Sequence, residues 1–243
     1  MRALLIAATL ALSAAAPALA QEEEDAIVVT ASRYQERYES FAIPHVALTR
    51  RADSAAMNLT ISSDTRDAAA RRAELNEALR GVARLGNNAV TLGLLREDQD
   101  EGGVGRTRIV RFSVEAAMEL LRAGGRADTS QVTIILRTPV REEDTLESVE
   151  QRLKAFSANA PRPGRIEYFT GAIELVLINP PQYRAPVIAA IAADANTIVR
   201  GLGAGYGVRL EGLESPVAWK RAGDLDLRLF VPYRMVVLPV GAD

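Results

Sequence analysis

The sequence predicts an α+β fold in which an antiparallel or mixed β-sheet is covered by helices, with a possible division into two lobes. This prediction rests on two sequence patterns and on the order in which they occur along the chain. Short runs of alternating or β-branched apolar residues indicate strands, and longer segments with apolar residues at helical spacing indicate helices. The two kinds of segment do not alternate strictly, as they would in a doubly wound α/β fold.

The first 20 residues have the pattern of a secretory signal peptide. Arg2 supplies a positive start, residues 4–12 are apolar and uncharged, and Ala18-Leu19-Ala20 is a small-residue cleavage site. The apolar run is too short, and the segment after it too acidic, for a stable membrane span. We therefore expect cleavage near Ala20 and a mature chain, residues 21–243, that is periplasmic or secreted.

The amino-acid composition of the chain argues against several classes of function. The formal net charge is −2, which argues against the concentrated basic face that nucleic-acid binding needs. The chain has no cysteine, so it has no thiol nucleophile, disulfide or thiolate metal ligand. After the leader, the most apolar stretch is residues 187–199. It is interrupted by Asp194 and Asn196, and we expect no transmembrane segment.

The elements of the chain are predicted in order from these patterns. Residues 21–45 are predicted to be an extended arm with one short strand, because an acidic start precedes a β-branched run, and residues 46–243 are predicted to be the folded domain. Strands are predicted at residues 56–62, 89–95, 107–114, 131–138, 165–178, 208–213 and 226–238, and helices from Asp64 to Gly86, over 115–123, from Asp144 past Phe156, and over 183–202.

Each type of element has its own justification. The strand at 131–138 is the most apolar, and Pro232 inside the last strand suggests an edge position or a bulge. The helices carry an apolar stripe, and aspartates at their starts are typical caps. Residues 96–105 are charged and glycine-rich, which predicts a loop between two strands or two lobes.

Three stretches of the chain carry a family resemblance. The first is Arg51-Ala52-Asp53-Ser54-Ala55, with the strand after it and the helix that begins Arg66-Asp67-Ala68. The second is the alanine-rich helix that ends at Leu202-Gly203, and the third is Val208-Arg209-Leu210-Glu211. Together they resemble the SIMPL domain family, exported proteins also described as periplasmic immunogenic or oxidative-stress-defence proteins.

The resemblance to the SIMPL family implies more than a fold. It implies a SIMPL-like α+β domain over about residues 44–240 of this chain. It also implies a non-enzymatic envelope protein that is linked to stress tolerance and tends to self-assemble. It brings no catalytic residues to transfer.

The arm contains the first candidate interaction site. The run Ile27-Val28-Val29-Thr30 lies in a segment that resembles a TonB box, with which outer-membrane receptors engage the transducer TonB. Such a segment binds by adding a strand to a partner's sheet edge, and β-branched residues suit that. The chain is too short for a receptor barrel, so the run is also explained as a first strand of the domain or as chance.

Aromatic residues near the C-terminus form a second candidate. Trp219 and Tyr233, together with Tyr206 and Phe230, would either line a ligand pocket or cap the hydrophobic core. Packing against the core is the commoner role of such side chains and is favoured here, with a ligand pocket as the alternative.

The remaining polar motifs favour structural roles. His45 is the only histidine and has no partner for metal binding or proton relay. The glycine-rich segment 201–207 follows a helix and precedes a strand, which is the reverse of a dinucleotide-binding loop. The acidic clusters near residues 97–101 and 142–144 lack calcium-loop spacing. We therefore predict no catalytic residue, no cofactor and no metal site.

Two functional hypotheses follow. The first is an exported, periplasmic, non-enzymatic protein of the SIMPL-like type that forms a homo-oligomer and supports envelope integrity or stress tolerance. The alternative is a periplasmic module that binds a ligand or a partner, with its TonB-box-like arm paired to an envelope protein. Neither involves nucleic acid. A hydrolase is a weaker third hypothesis, because only carboxylate or Ser/Lys chemistry is left to it.

Overall fold

The computed structural model describes residues 44–99, 105–126 and 128–241, and these contain four α-helices and eleven β-strands. The predicted α+β class is confirmed. The helices are α1 (Ala68–Leu85), α2 (Val114–Glu119), α3 (Leu146–Ala158) and α4 (Arg184–Leu202), with a 3₁₀ turn at Pro180–Tyr183 before α4. The strands are β1 (Leu48–Arg51), β2 (Ser54–Ser63), β3 (Thr91–Gln99), β4 (Gly105–Arg111), β5 (Arg122–Ala123), β6 (Ser130–Pro139), β7 (Ile166–Val176), β8 (Tyr206–Glu211), β9 (Ala218–Arg221), β10 (Asp226–Phe230) and β11 (Arg234–Pro239).

A six-stranded antiparallel sheet is the centre of the fold. Its order is β4-β3-β6-β2-β7, with the short β5 also paired to β6. Strand β2 pairs with β6 and β7 over its full length, so its side chains are enclosed on both flanks. The register between β2 and β7 shifts between Met57 and Leu59, which forms a bulge at Gly171 in β7.

Helices α1, α2 and α3 cover one face of this sheet. Leu59 and Ile134 on the sheet pack with Leu79 of α1, Met118 of α2 and Leu153 of α3 in one large core cluster. The opposite face holds a small apolar cluster of Ala56, Ile135 and Val176, beside polar residues such as the hydrogen-bonded Thr60 and Thr133. The sheet is therefore apolar towards the helices and mixed on its other side, as alternation along a strand requires.

Two smaller sheets complete the fold. One has the order β1-β10-β9, and its Leu227 and Leu229 join the same large core cluster as the six-stranded sheet. The other is the pair β8–β11. The single strand predicted over 226–238 is therefore wrong, because Pro232 lies between two strands that belong to different sheets. Proline has no backbone N–H for a ladder, and its fixed φ breaks the strand at this point.

The helix starts and one loop also differ from the prediction. Asp67, not Asp64, caps α1, because its carboxylate lies three residues before Ala70 and accepts that residue's N–H at 2.7 Å. Asp64 instead pairs with Arg165 at 2.7 Å. Thr145, not Asp144, caps α3. Within the predicted loop 96–105, β3 continues to Gln99, because ladder pairing with β4 overrides the charged composition.

Candidate functional site

The arm residues Ile27, Val28, Val29 and Thr30 lie outside the described residues, as does the predicted signal peptide at residues 1–20. Their proposed strand-addition role stays a prediction. His45 lies just inside the described range and is exposed.

Trp219 and Tyr233 both pack, half-buried, against the large core cluster. Trp219 lies opposite Leu229 in the β9–β10 ladder, so it shares that residue's face. Burial raises the pKa of Tyr233, and the negative charge of Asp194 acts in the same direction. Phe230 is fully buried and Tyr206 is exposed, so the four aromatics do not share one environment. A ligand pocket at Trp219 and Tyr233 stays a prediction.

Among the described residues, some charged side chains are held in structural contacts and others are exposed. Within residues 44–99, 105–126 and 128–241, no three acidic or histidine side chains are arranged to hold a metal ion. Glu142 and Glu143 are exposed, whereas Asp144 binds Arg152 and the backbone N–H of Arg141. Between α1 and α2 there is an open groove of about 790 Å³, and its charged lining mixes both signs, as with Arg72 and Glu115.

Asp53 connects two of the sheets. Its carboxylate accepts the backbone N–H of Ile178 at 2.7 Å and pairs with Arg50 at 2.6 Å. Arg50 also lies over the Tyr183 ring, 4.4 Å from its centroid. The backbone N–H of Asp53 donates to Val176 at the end of β7. The aspartate of the family-like stretch is therefore a structural clamp where β1 leads into β2.

Replacing Asp53 should destabilise the protein without changing its fold. In Asp53→Ala the N–H of Ile178 and the Arg50 guanidinium lose a charged partner, which we expect to cost about 2 kcal/mol. Urea unfolding followed by circular dichroism measures this cost. The matched control is Glu214→Ala, since Glu214 is exposed, and a loss in Asp53→Ala no larger than in this control would contradict the clamp.

The surface with the strongest potential for binding is the two-stranded ribbon β8–β11. The predicted helix end and turn before it are confirmed: Gly203 caps α4 with φ 88°, and Tyr206 N–H bonds back to the Gly203 carbonyl at 3.2 Å. At the other end of β8, Gly212 has φ 85°, and a Cβ there would meet the Pro232 carbonyl oxygen at 3.0 Å. The ribbon thus depends on glycine at both ends of β8.

One face of the ribbon consists only of apolar residues. Ladder partners lie on the same face, and the pairs on this one are Met235 with Leu210, Val237 with Val208, and Pro239 with Tyr206. At the Leu210 end the face packs against the core. At the other end Tyr206 is 45 % exposed and Val237 is 41 % exposed. Exposed apolar side chains that lie together indicate an interaction site.

The helix before the ribbon continues this apolar character. Val187 and Ile191 of α4 are fully buried, but Leu202 at its end is 47 % exposed. By length and composition alone, the segment Pro180–Leu202 would suffice to cross a membrane, although only 17 % of its most apolar window is buried within the protein. The prediction of no transmembrane segment stays a prediction.

Sequence reasoning found the ingredients of this site but not the site itself. It located the glycine-rich turn, the strand after it and Pro232, yet it treated residues 226–238 as one strand. The pairing of β8 with β11 brings together two segments more than 20 residues apart, and only the ladder reveals it. The alternation in Tyr206, Val208 and Leu210 was the available signal for the apolar face.

Comparisons with known proteins add no family. No protein-family model matches the sequence, and no curated protein matches it. A hydrolase from Listeria innocua aligns with a TM-score of 0.15 and 10 % identity, over 84 % of this chain and 96 % of that one. An uncharacterized conserved protein from Listeria innocua aligns with a TM-score of 0.14 and 12 % identity, over 83 % and 98 %. Similarity at this level supports no statement about the fold or the activity of this chain.

Proposed function

We propose that this chain is an exported, non-enzymatic protein of the bacterial envelope that assembles with copies of itself. The observation that carries the proposal is the β8–β11 ribbon, whose apolar face is exposed at its Tyr206 and Val237 end and whose two outer edges pair with no other described strand. An isolated two-stranded ribbon is marginally stable in water, and pairing with further strands would stabilise it.

Export and a non-enzymatic role have their support in the sequence. The pattern of residues 1–20 favours secretion, and the resemblance to the SIMPL family suggests a role in envelope integrity or stress tolerance. A chain with one histidine and no cysteine has few routes to acid–base or nucleophilic catalysis. Two of the carboxylates in the described residues, Asp53 and Asp144, are held in structural contacts.

Cell fractionation tests export and assembly together. The tagged full-length chain should appear in the periplasmic or extracellular fraction, with its N-terminus near Gln21. On a native gel of that fraction it should migrate as a defined multimer. A cytoplasmic chain that retains residues 1–20 would contradict export, and migration as a monomer would contradict assembly.

A further inference from the structure

We propose that two copies of this chain pair through the outer edge of β11, antiparallel, about a two-fold axis at Val237. The inference rests on the proposed self-assembly and specifies the contact that would produce it. It would join two ribbons into one four-stranded sheet.

Charge distinguishes the edge of β11 from the other sheet edges. Natural sheets protect exposed edges from pairing with charged side chains, bulges or short strands. The other edge strands of the described residues carry such protection: Arg50 and Arg51 in β1, Arg111 in β4, Arg122 in β5, Glu167 with the Gly171 bulge in β7, Arg209 and Glu211 in β8, and Lys220 and Arg221 in β9. In β11 the one charged residue is Arg234, at its first position, and residues 235–240 carry no charge.

The backbone of β11 offers hydrogen-bonding groups on that edge. Val240 N–H donates to the Gly205 carbonyl at 2.9 Å, so the even-numbered residues of β11 direct their backbone groups towards β8. Met235, Val237 and Pro239 therefore direct theirs outward. Pro239 has no N–H, so it offers only a carbonyl, which leaves the N–H groups of Met235 and Val237 as the outward donors.

A two-fold axis at Val237 makes this edge complementary to itself. Val237 then faces Val237 of the second copy, and the two exchange a pair of N–H to carbonyl bonds. Met235 faces Pro239 of the second copy and donates its N–H to the Pro239 carbonyl. Because proline has no N–H, the one hydrogen bond missing from this pair is the one that the Met235 carbonyl would accept. Arg234 falls opposite Val240, which keeps the two arginines at opposite ends of the contact.

The same register continues the apolar face across the axis. Met235, Val237 and Pro239 of each copy lie on the face that also carries Tyr206 and Val208. Pairing would therefore cover the exposed side of Val237 with its symmetry mate, in line with cross-strand stabilisation in other sheets.

Cysteine cross-linking tests the register, because the natural chain has no cysteine. In Val237→Cys, hydrogen-bonded antiparallel partners lie about 5.5 Å apart between Cα atoms, which suits a disulfide. Mild oxidation of this variant of the mature chain should give a covalent dimer on a non-reducing gel. Glu211→Cys on the far strand of the same ribbon is the control and should stay monomeric on that gel. Equal cross-linking of both variants would overturn the proposed axis.

A charged side chain on the outer edge of β11 tests the contact without covalent cross-linking. Val237→Lys places two ammonium groups opposite each other at the axis, and we expect the light-scattering mass to fall to that of the monomer or of a smaller assembly. Circular dichroism melting of the variant checks that it is folded. A multimeric natural chain with unchanged mass in Val237→Lys would overturn this contact and leave self-assembly standing.

Two further results overturn the inference in different ways. A natural chain that is monomeric would remove the proposed self-assembly as well as this contact. If deletion of residues 21–35 dissociates the multimer while Val237→Lys does not, the arm of a neighbouring copy, and not β11, forms the contact.

Discussion

Asp144→Ala is expected to lower the free energy of unfolding by about 3 kcal/mol, because it leaves the Arg152 guanidinium without its carboxylate. The Asp144 side chain is 5 % exposed and that of Arg152 is 21 % exposed. The carboxylate also accepts the backbone N–H of Arg141 at 2.8 Å, so one substitution removes an ion pair and a loop hydrogen bond.

Urea unfolding at neutral pH measures this loss. Glu143→Ala is the matched control, since Glu143 is the exposed neighbour in the same turn, and it should change stability by less than about 0.5 kcal/mol. If Asp144→Ala were as stable as this control, the buried pair would contribute nothing to the fold.

The Asp144 carboxylate also makes the stability of the protein depend on pH. Burial acts to raise the pKa of Asp144, but the hydrogen bonds from Arg141 and Arg152 and the charge of Arg152 outweigh it and hold the pKa below its usual value. The stabilisation is therefore complete above the unfolded pKa of about 3.9 and is lost as pH falls through the lower folded value. The stability difference between the natural chain and Asp144→Ala should shrink over that acidic range and stay constant above it.

Leu59→Ala is expected to cost about 2–5 kcal/mol, because it opens a cavity where the central strand meets the helices. Leu59 is fully buried in the large core cluster. The adjacent Thr60 points to the other face of β2 and hydrogen-bonds Thr133 at 2.9 Å. Thr60→Ala should cost only about 1 kcal/mol, the net contribution of one hydrogen bond.

This pair of substitutions checks the one-sided covering of the six-stranded sheet. Thermal melting of both variants should show a much larger fall in Tm for Leu59→Ala. Equal falls would mean that both faces of β2 are packed to the same degree.

Strong periodicity explains which parts of the fold could be predicted. The strand that contains Met57, Leu59 and Ile61 alternates cleanly, and the four helices carry clear apolar stripes, so these elements were found to within a few residues. Strands β1 and β9 were missed, because they are four residues long and rich in Arg and Lys. Their strand geometry comes from pairing with β10, a contact between segments far apart in the chain.

Long-range contacts also explain the incorrect caps and the missed surface. Asp64 and Asp144 have the residue type of a helix cap, but each is bound by an arginine, Arg165 far along the chain and Arg152 about two helical turns later, and Asp67 and Thr145 cap instead. The apolar face of the ribbon could be predicted only if it were known that the chain enters a third sheet after Pro232. Neither the arginine contacts of the two aspartates nor the change of sheet after Pro232 can be predicted from local composition.

The measurement that tests the central claim most directly is the solution mass of purified residues 21–243 by light scattering on a sizing column. We expect a defined multimer whose mass is constant over a tenfold range of protein concentration and falls only at dilutions that approach the dissociation constant. A monomer throughout that range would contradict self-assembly and would favour a module that binds a ligand or another envelope protein.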